Sequence, residues 1–325
     1  NFDLKDFKYY KKIFTKKNIS IPVSLQNGKI IFFEDKDYIA SIINSNINLK
    51  LKEKYIDTVI DGFFLNDKIH IKFENKAIDN AKSTEVVFKM SKINLLAKTN
   101  FVQSRTSKDV VNGNILLKKG KNKITAIFDY KDNKLNIIKS NLRNTFLDGK
   151  MQGEIKILPY FNFDLDINLN SVNFTKLYNA FLSLDNKSRK ELFKVNEKVN
   201  GNINLAADKI YSNYSLMKSF ESRIKFNNSN ILIEQFLINL GKLGAADFLG
   251  SISNDKKFTT FKFETNIFVD NQKKFLSKMG IYNKENIPSS FFVSGNFDLE
   301  NIRASFYEIS NEKKLNNEDI NFIEK

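Results

Sequence analysis

Residues 161–170 read Phe-Asn-Phe-Asp-Leu-Asp-Ile-Asn-Leu-Asn, apolar and polar side chains in strict alternation. Successive side chains of a β-strand point to opposite faces, so as a strand this run has one apolar and one polar face. Wound as a helix it would scatter its apolar groups round the axis. The same alternation runs through residues 43–51 (Ile-Asn-Ser-Asn-Ile-Asn-Leu-Lys-Leu), 69–73, 261–269 and 293–299. The chain therefore reads as mainly β, and its leading feature is a large sheet that is apolar on one side.

The segments between these runs carry turn chemistry: Asn66-Asp67, Lys119-Gly120-Lys121-Asn122, Lys131-Asp132-Asn133 and Asp148-Gly149. Asn27-Gly28 is the dipeptide that best tolerates two positive φ angles, and it predicts a hairpin turn between residues 23–25 and 29–33. Closely spaced strands joined by short turns describe an antiparallel meander, with residues 38–43 and 43–51 as separate strands. Two helical interruptions break the rhythm. Leu177, Ala180, Phe181 and Leu184 fall at i, i+3, i+4 and i+7, and Asn186 is placed to cap a second short helix. A further helix is expected over 271–279, stopped by Gly280. The junctions at 172–178 and 269–275 are alike and suggest a weak internal repeat. This divides the chain into a linker or short helix (1–18), a first β block (19–172), a helical interlude (173–197), a second β block (198–310) and a polar tail (311–325).

Composition narrows the chemistry. The 325 residues include 31 Phe but no Trp or Cys, and 52 Lys and Arg against 37 Asp and Glu give a net charge of +15. No cysteine means no disulfide, no thiolate nucleophile and no Cys-ligated metal. The basic residues are mostly lysines that alternate with acids and Asn on polar faces, a solvated surface and not the continuous Arg-rich stripe that reads nucleic acid; no nucleic-acid partner is expected. Lysines near a bilayer add about 1 kcal/mol each of attraction to anionic headgroups. The single histidine, His70, lies between Ile69 and Ile71 on the polar side of its strand. Asp164 and Asp166 lie about 7 Å apart on one face, a spacing that a glycosidase pair tolerates but that amphipathic alternation produces by itself. Lys119-Gly120-Lys121 lacks the remainder of a phosphate-binding loop. No enzyme activity, metal site or cofactor is expected.

What remains is the apolar face. Sequential pairing would align Ile43, Ile47, Leu49 and Leu51 with Ile69, Ile71 and Phe73. It would likewise align Phe161, Phe163, Leu165, Ile167 and Leu169 with Phe261, Phe263 and Ile267. At ~25 cal/mol per Å² such an area does not stay in water. It closes into a barrel or sandwich, is covered by helices, or curls around something apolar.

The order of motifs resembles the AsmA-like family. Residues 28–35 (Gly-Lys-Ile-Ile-Phe-Phe-Glu-Asp) followed by 42–51 resemble the opening of those domains. Residues 163–177 resemble their strand-to-helix junction, with Asn173 where the family carries Asp. Residues 199–210 (Val-Asn-Gly-Asn-Ile-Asn-Leu-Ala-Ala-Asp-Lys-Ile) are similar to a further family strand, and 276–281 with 287–297 to its helix and returning strand. The resemblance covers most of residues 28–310. It implies a long twisted antiparallel sheet curled into an apolar groove, with a few short helices between strand blocks. It also implies a non-enzymatic, periplasmic phospholipid-binding role in intermembrane lipid transport or outer-membrane assembly. The chain would be tethered to the inner membrane by a segment outside it, with envelope proteins as further partners. The fifteen residues just named would then line the groove. The alternative expectation is a scaffold β-domain whose apolar face is filled by its own second layer.

Overall fold

The computed structural model describes residues 21–34, 37–52, 55–78, 81–104, 110–156, 161–197, 199–213, 215–254, 259–278, 288–311, 313–314 and 320. The expected linker at 1–18, the Gly280 helix stop and most of the polar tail lie outside them. The chain forms two compact units, Asn1–Asp132 with Ile137–Ser140, and Asn133–Asn136 with Asn141–Lys325. The described residues are mainly β, with largely antiparallel strand pairing and three short α-helices.

In the first unit, β1 (Ile21–Glu34), β2 (Asp37–Lys52), β3 (Tyr55–Phe64), β4 (Asp67–Ile78), β5 (Ala81–Met90), β6 (Leu95–Ser104), β7 (Val111–Lys119) and β8 (Asn122–Lys131) pair antiparallel in chain order. Leu65 (φ 49°) and Asn66 (φ 61°) form the two-residue turn between β3 and β4; both angles are positive, as the twist of a tight hairpin demands. Asp67, at the start of β4, fastens the turn between β5 and β6, its carboxylate accepting the N–H groups of Lys92 and Ile93.

Two local expectations are overturned here. Asn27-Gly28 is not a turn: β1 runs straight through it, and the register to β2 shifts around Gly28↔Ser45. The positive φ of Asn27 (53°) is used by a bulge, and its N–H donates to Asn46 Oδ1 at 3.1 Å. Residues 38–43 and 43–51 are likewise one strand, β2, with its own irregularity at Asn44 (φ 49°). A bulge and a turn draw on the same dipeptide chemistry, and sequence alone does not separate them.

The second unit holds β10 (Leu147–Lys156), β11 (Phe161–Asn173), α1 (Phe174–Leu182), α2 (Asn186–Leu192), β12 (Val199–Ala207), β13 (Ile210–Tyr211), β14 (Ser219–Asn227), β15 (Asn230–Asn239), β16 (Gly244–Asn254), β17 (Thr259–Val269), α3 (Gln272–Lys278), β18 (Ser290–Asp298), β19 (Arg303–Asn311) and β20 (Lys313–Lys314). Strand β9 (Lys134–Arg143) contributes residues to both units. Most pairs are antiparallel, but β11 and β12 are parallel, Phe161↔Val199 through Leu169↔Ala207. That departs from a pure meander. The helical interlude carries the chain back along the length of β11, so β12 enters beside it in the same direction. Alternation along a strand says nothing of the direction of its neighbour.

Each of the three α-helices begins on a side-chain cap. Asn173 Oδ1 accepts from Lys176 N–H at 2.9 Å, Asp185 from Ser188 N–H at 2.6 Å, and Asn271 from Lys274 N–H at 3.0 Å. The cap of α2 is thus Asp185, not the expected Asn186. Its hydrogen bonds with Ser188 hold the carboxyl below its ordinary range, aided by the nearby Lys187 and Arg189 charges.

Candidate functional site

The registers test the expected apolar faces directly. In the first unit, Leu25, Ile47, Ile60, Ile71, Phe88, Ala97, Leu117 and Ile124 are successive Cα partners from β1 to β8, one row with no polar member. Leu49, Leu51, Ile69 and Phe73 share that face. Leu51 and Ile69 are 3% and 1% exposed, so parts of it form true core. Ile43 does not belong to it. It pairs with Phe63, whereas Ile47 pairs with Ile60, and the odd step between Ile60 and Phe63 puts Ile43 on the opposite side. The β2 bulge reverses the parity, and Ile43 and Phe63 are 43% and 42% exposed there.

The second unit repeats the arrangement. Ile155, Phe163, Gly201, Phe226, Ile231, Ile252, Phe261, Phe297 and Ala304 form one row across nine strands. Leu169, Ala207, Phe220, Ile238, Ala246, Ile267 and Phe291 form another. Phe161, Leu165, Ile167 and Phe263 lie on the same face by alternation. Rings touch in sequence along it: Phe220–Phe236 at 5.0 Å, Phe236–Phe248 at 6.0 Å, Phe248–Phe263 at 6.0 Å and Phe263–Phe306 at 6.4 Å. Edge and stacked contacts at these separations add to the area term. Gly201 lies beneath the Phe163 ring, where a Cβ would come within 2.6 Å of a ring carbon; the glycine makes room for the aromatic group on the apolar face.

At one end this face deepens into a cavity of about 350 Å³. Its floor is Ile238, Ala246 and Ile267; Leu216 and Met217, from the segment between β13 and β14, line it with Phe174, Leu240 and Phe275, and Ser212 and Thr265 add its few polar groups. Leu240, Leu243, Val269 and Phe275 form the buried cluster behind it. The sequence reading did not pick out this cavity. Leu216-Met217, an apolar pair in a segment with no strand pattern, was the signal available.

The opposite faces are mixed: charged and amide side chains pair with one another there, beside exposed apolar groups such as Ile43, Phe63, Leu237, Leu249 and Phe268. His70 Nδ1 lies 2.9 Å from Asp61 Oδ1 across β3 and β4. Glu74 meets Lys72 and Lys76, and the hydrogen bond from Lys72 is the main cause that lowers its carboxyl pKa. Lys98 pairs with Glu85 at 2.7 Å, Lys134 with Glu154 at 2.8 Å and Lys225 with Glu234 at 3.8 Å. Asp166 accepts from the Asn204 amide at 2.8 Å. The turn between β18 and β19 is organised by Asp298, which accepts from Glu300 N–H, Asn301 N–H and the Asn301 side chain. Burial pushes this carboxyl up, but those bonds and the nearby Arg303 outweigh it and the pKa is lowered. Among the described residues no three His, Asp or Glu side chains gather as metal ligands, and no helix is long and apolar enough to cross a membrane.

Comparison of the chain with protein-family models, characterised proteins and solved structures returns no match.

Proposed function

We propose that the protein is a non-enzymatic lipid-binding β-domain of the AsmA-like kind, holding phospholipid acyl chains against its apolar face as part of periplasmic lipid transport or outer-membrane assembly. One observation carries the reading: in the second unit the register brings the apolar residues of nine strands to one face, which ends in a cavity with an almost wholly apolar lining. Glycine beneath an aromatic ring, as at Gly201, seats that ring close against the sheet on this face. Each methylene moved from water onto such a surface contributes about 0.8 kcal/mol. A row of Ile and Phe without fixed polar partners grips a chain at no single point along its length. The charged faces outside stay solvated.

The scaffold alternative draws on the first unit, where Leu51 and Ile69 are already buried by protein. Lipid occupancy separates the two. Native mass spectrometry after gentle extraction should find phospholipid bound. A photo-crosslinking residue at Phe263 should label the acyl chain, while one at Asp164 or Glu264 on the polar face should not. Protein free of lipid, with crosslinks only from polar positions, would leave the scaffold reading standing.

A further inference from the structure

The connection between the parallel strands β11 and β12 is fastened at both ends, yet neither of its helices has a fully buried residue. At its start, Phe174 lines the cavity beside Ile238 and Ile267, and the Thr175 hydroxyl accepts from Asn213 N–H at 3.0 Å. At its far end, Arg189 donates to the Glu300 carbonyl, Lys190 Nζ lies 3.3 Å from the Glu300 carboxylate, and the Asn186 amide donates to Asn301 at 3.3 Å. These anchors sit a strand length apart. Phe291, beside the cavity, pairs with Ile267, whereas Asp298, at the latch, pairs with Thr260. The intervening strand spans about 23–26 Å. Helix α1, of nine residues, is about 13 Å long and α2, of seven, about 10 Å, so the two in succession reach from one anchor to the other. A connection between parallel neighbours crosses over one face of the sheet, and Phe174 identifies that face as the apolar one. Yet α1 and α2 contain no buried residue, and Leu177 and Tyr178 are exposed.

We infer that α1 and α2 form a strap along the apolar face, whose far end unlatches from the β18–β19 turn to admit and release lipid. The inference rests on the lipid-binding reading above. Hydrogen bonds and a partly exposed ion pair are individually weak. The unburied helices have little else to hold them down, which places the strap among the segments that open first.

The chain has no cysteine, so Asn186→Cys with Asn301→Cys supplies only two thiols, to be joined by a cleavable bis-thiosulfonate. Uptake is followed from phosphatidylethanolamine–phosphatidylglycerol vesicles carrying phosphatidylglycerol with a fluorescent acyl chain. Bridging should slow uptake at least tenfold and reductant should restore it in the same sample. The double variant Arg189→Met/Lys190→Met, which needs no reagent, should speed uptake about threefold to an unchanged plateau. Equal rates with and without the bridge, at a normal plateau, would overturn the strap and leave lipid binding intact. No uptake by the unmodified protein would overturn both.

Discussion

Gly201 shows at the scale of one residue how the apolar face is built. Its φ of 155° is one that L side chains rarely adopt, and an added Cβ would lie 2.4 Å from the Phe163 carbonyl oxygen and 2.6 Å from its ring. The ring fills the space that glycine leaves, so the two residues act as one unit on adjacent parallel strands. Gly201→Val should therefore lower stability by about 3 kcal/mol, read as a fall in the urea midpoint. Gly201→Ala should cost less. Combining it with Phe163→Leu should recover part of the loss, because only the ring contact is relieved and the backbone contact remains. Strict additivity of the two changes would show that they do not share a site. The alternation of residues 161–170 made the Phe163 side of β11 legible. What lay opposite was not, since the partner is set by the path of the helical interlude.

Helix α2 is an element whose position matters more than its packing. No residue of it is buried, so its first turn depends on the Asp185 cap. Hydrogen bonding to Ser188 lowers the folded-state pKa of Asp185. A depressed carboxyl contributes stability above its unfolded value, near 3.9, and loses it as pH falls through the lower folded value. Amide exchange at Ser188 and Arg189, corrected for the intrinsic pH dependence, should accelerate below about pH 4. Asp185→Asn keeps an acceptor but removes the titration and should flatten that profile; an unchanged acid response in the variant would assign it elsewhere. The stripe Leu177–Leu184 disclosed that helices exist here. It did not disclose the cap one residue earlier than expected, because Asp185 and Asn186 are both good caps. Nor did it disclose what α2 touches, since Arg189 and Glu300 are 111 residues apart. The same limit explains Ile43. Its alternation with Ile47 is perfect on paper, but the bulge at Asn44 changes the parity, and a bulge needs only a local dihedral that Asn supplies without a distinctive motif.

At the scale of the molecule, nearly every described strand pairs with its neighbours in the chain, and in the first unit β1 to β8 all do. Stability in such an arrangement is close to a sum of local strand-pair terms, as in repeat proteins, and damage should stay near where it is made. Gly113 on β7 offers the test. A Cβ there would lie 2.7 Å from both the Asn100 carbonyl oxygen and the Phe128 ring, so Gly113→Val forces apart β6, β7 and β8. Hydrogen exchange read by mass spectrometry should show protection lost by at least tenfold across residues 95–130, with peptides from β14 to β18 unchanged. The reciprocal variant, Gly201→Val, should loosen β11, β12 and β14 and leave β3 to β7 protected. Uniform loss of protection across all strands in either variant would instead identify one cooperative folding unit, in which the two contact clusters share a single transition.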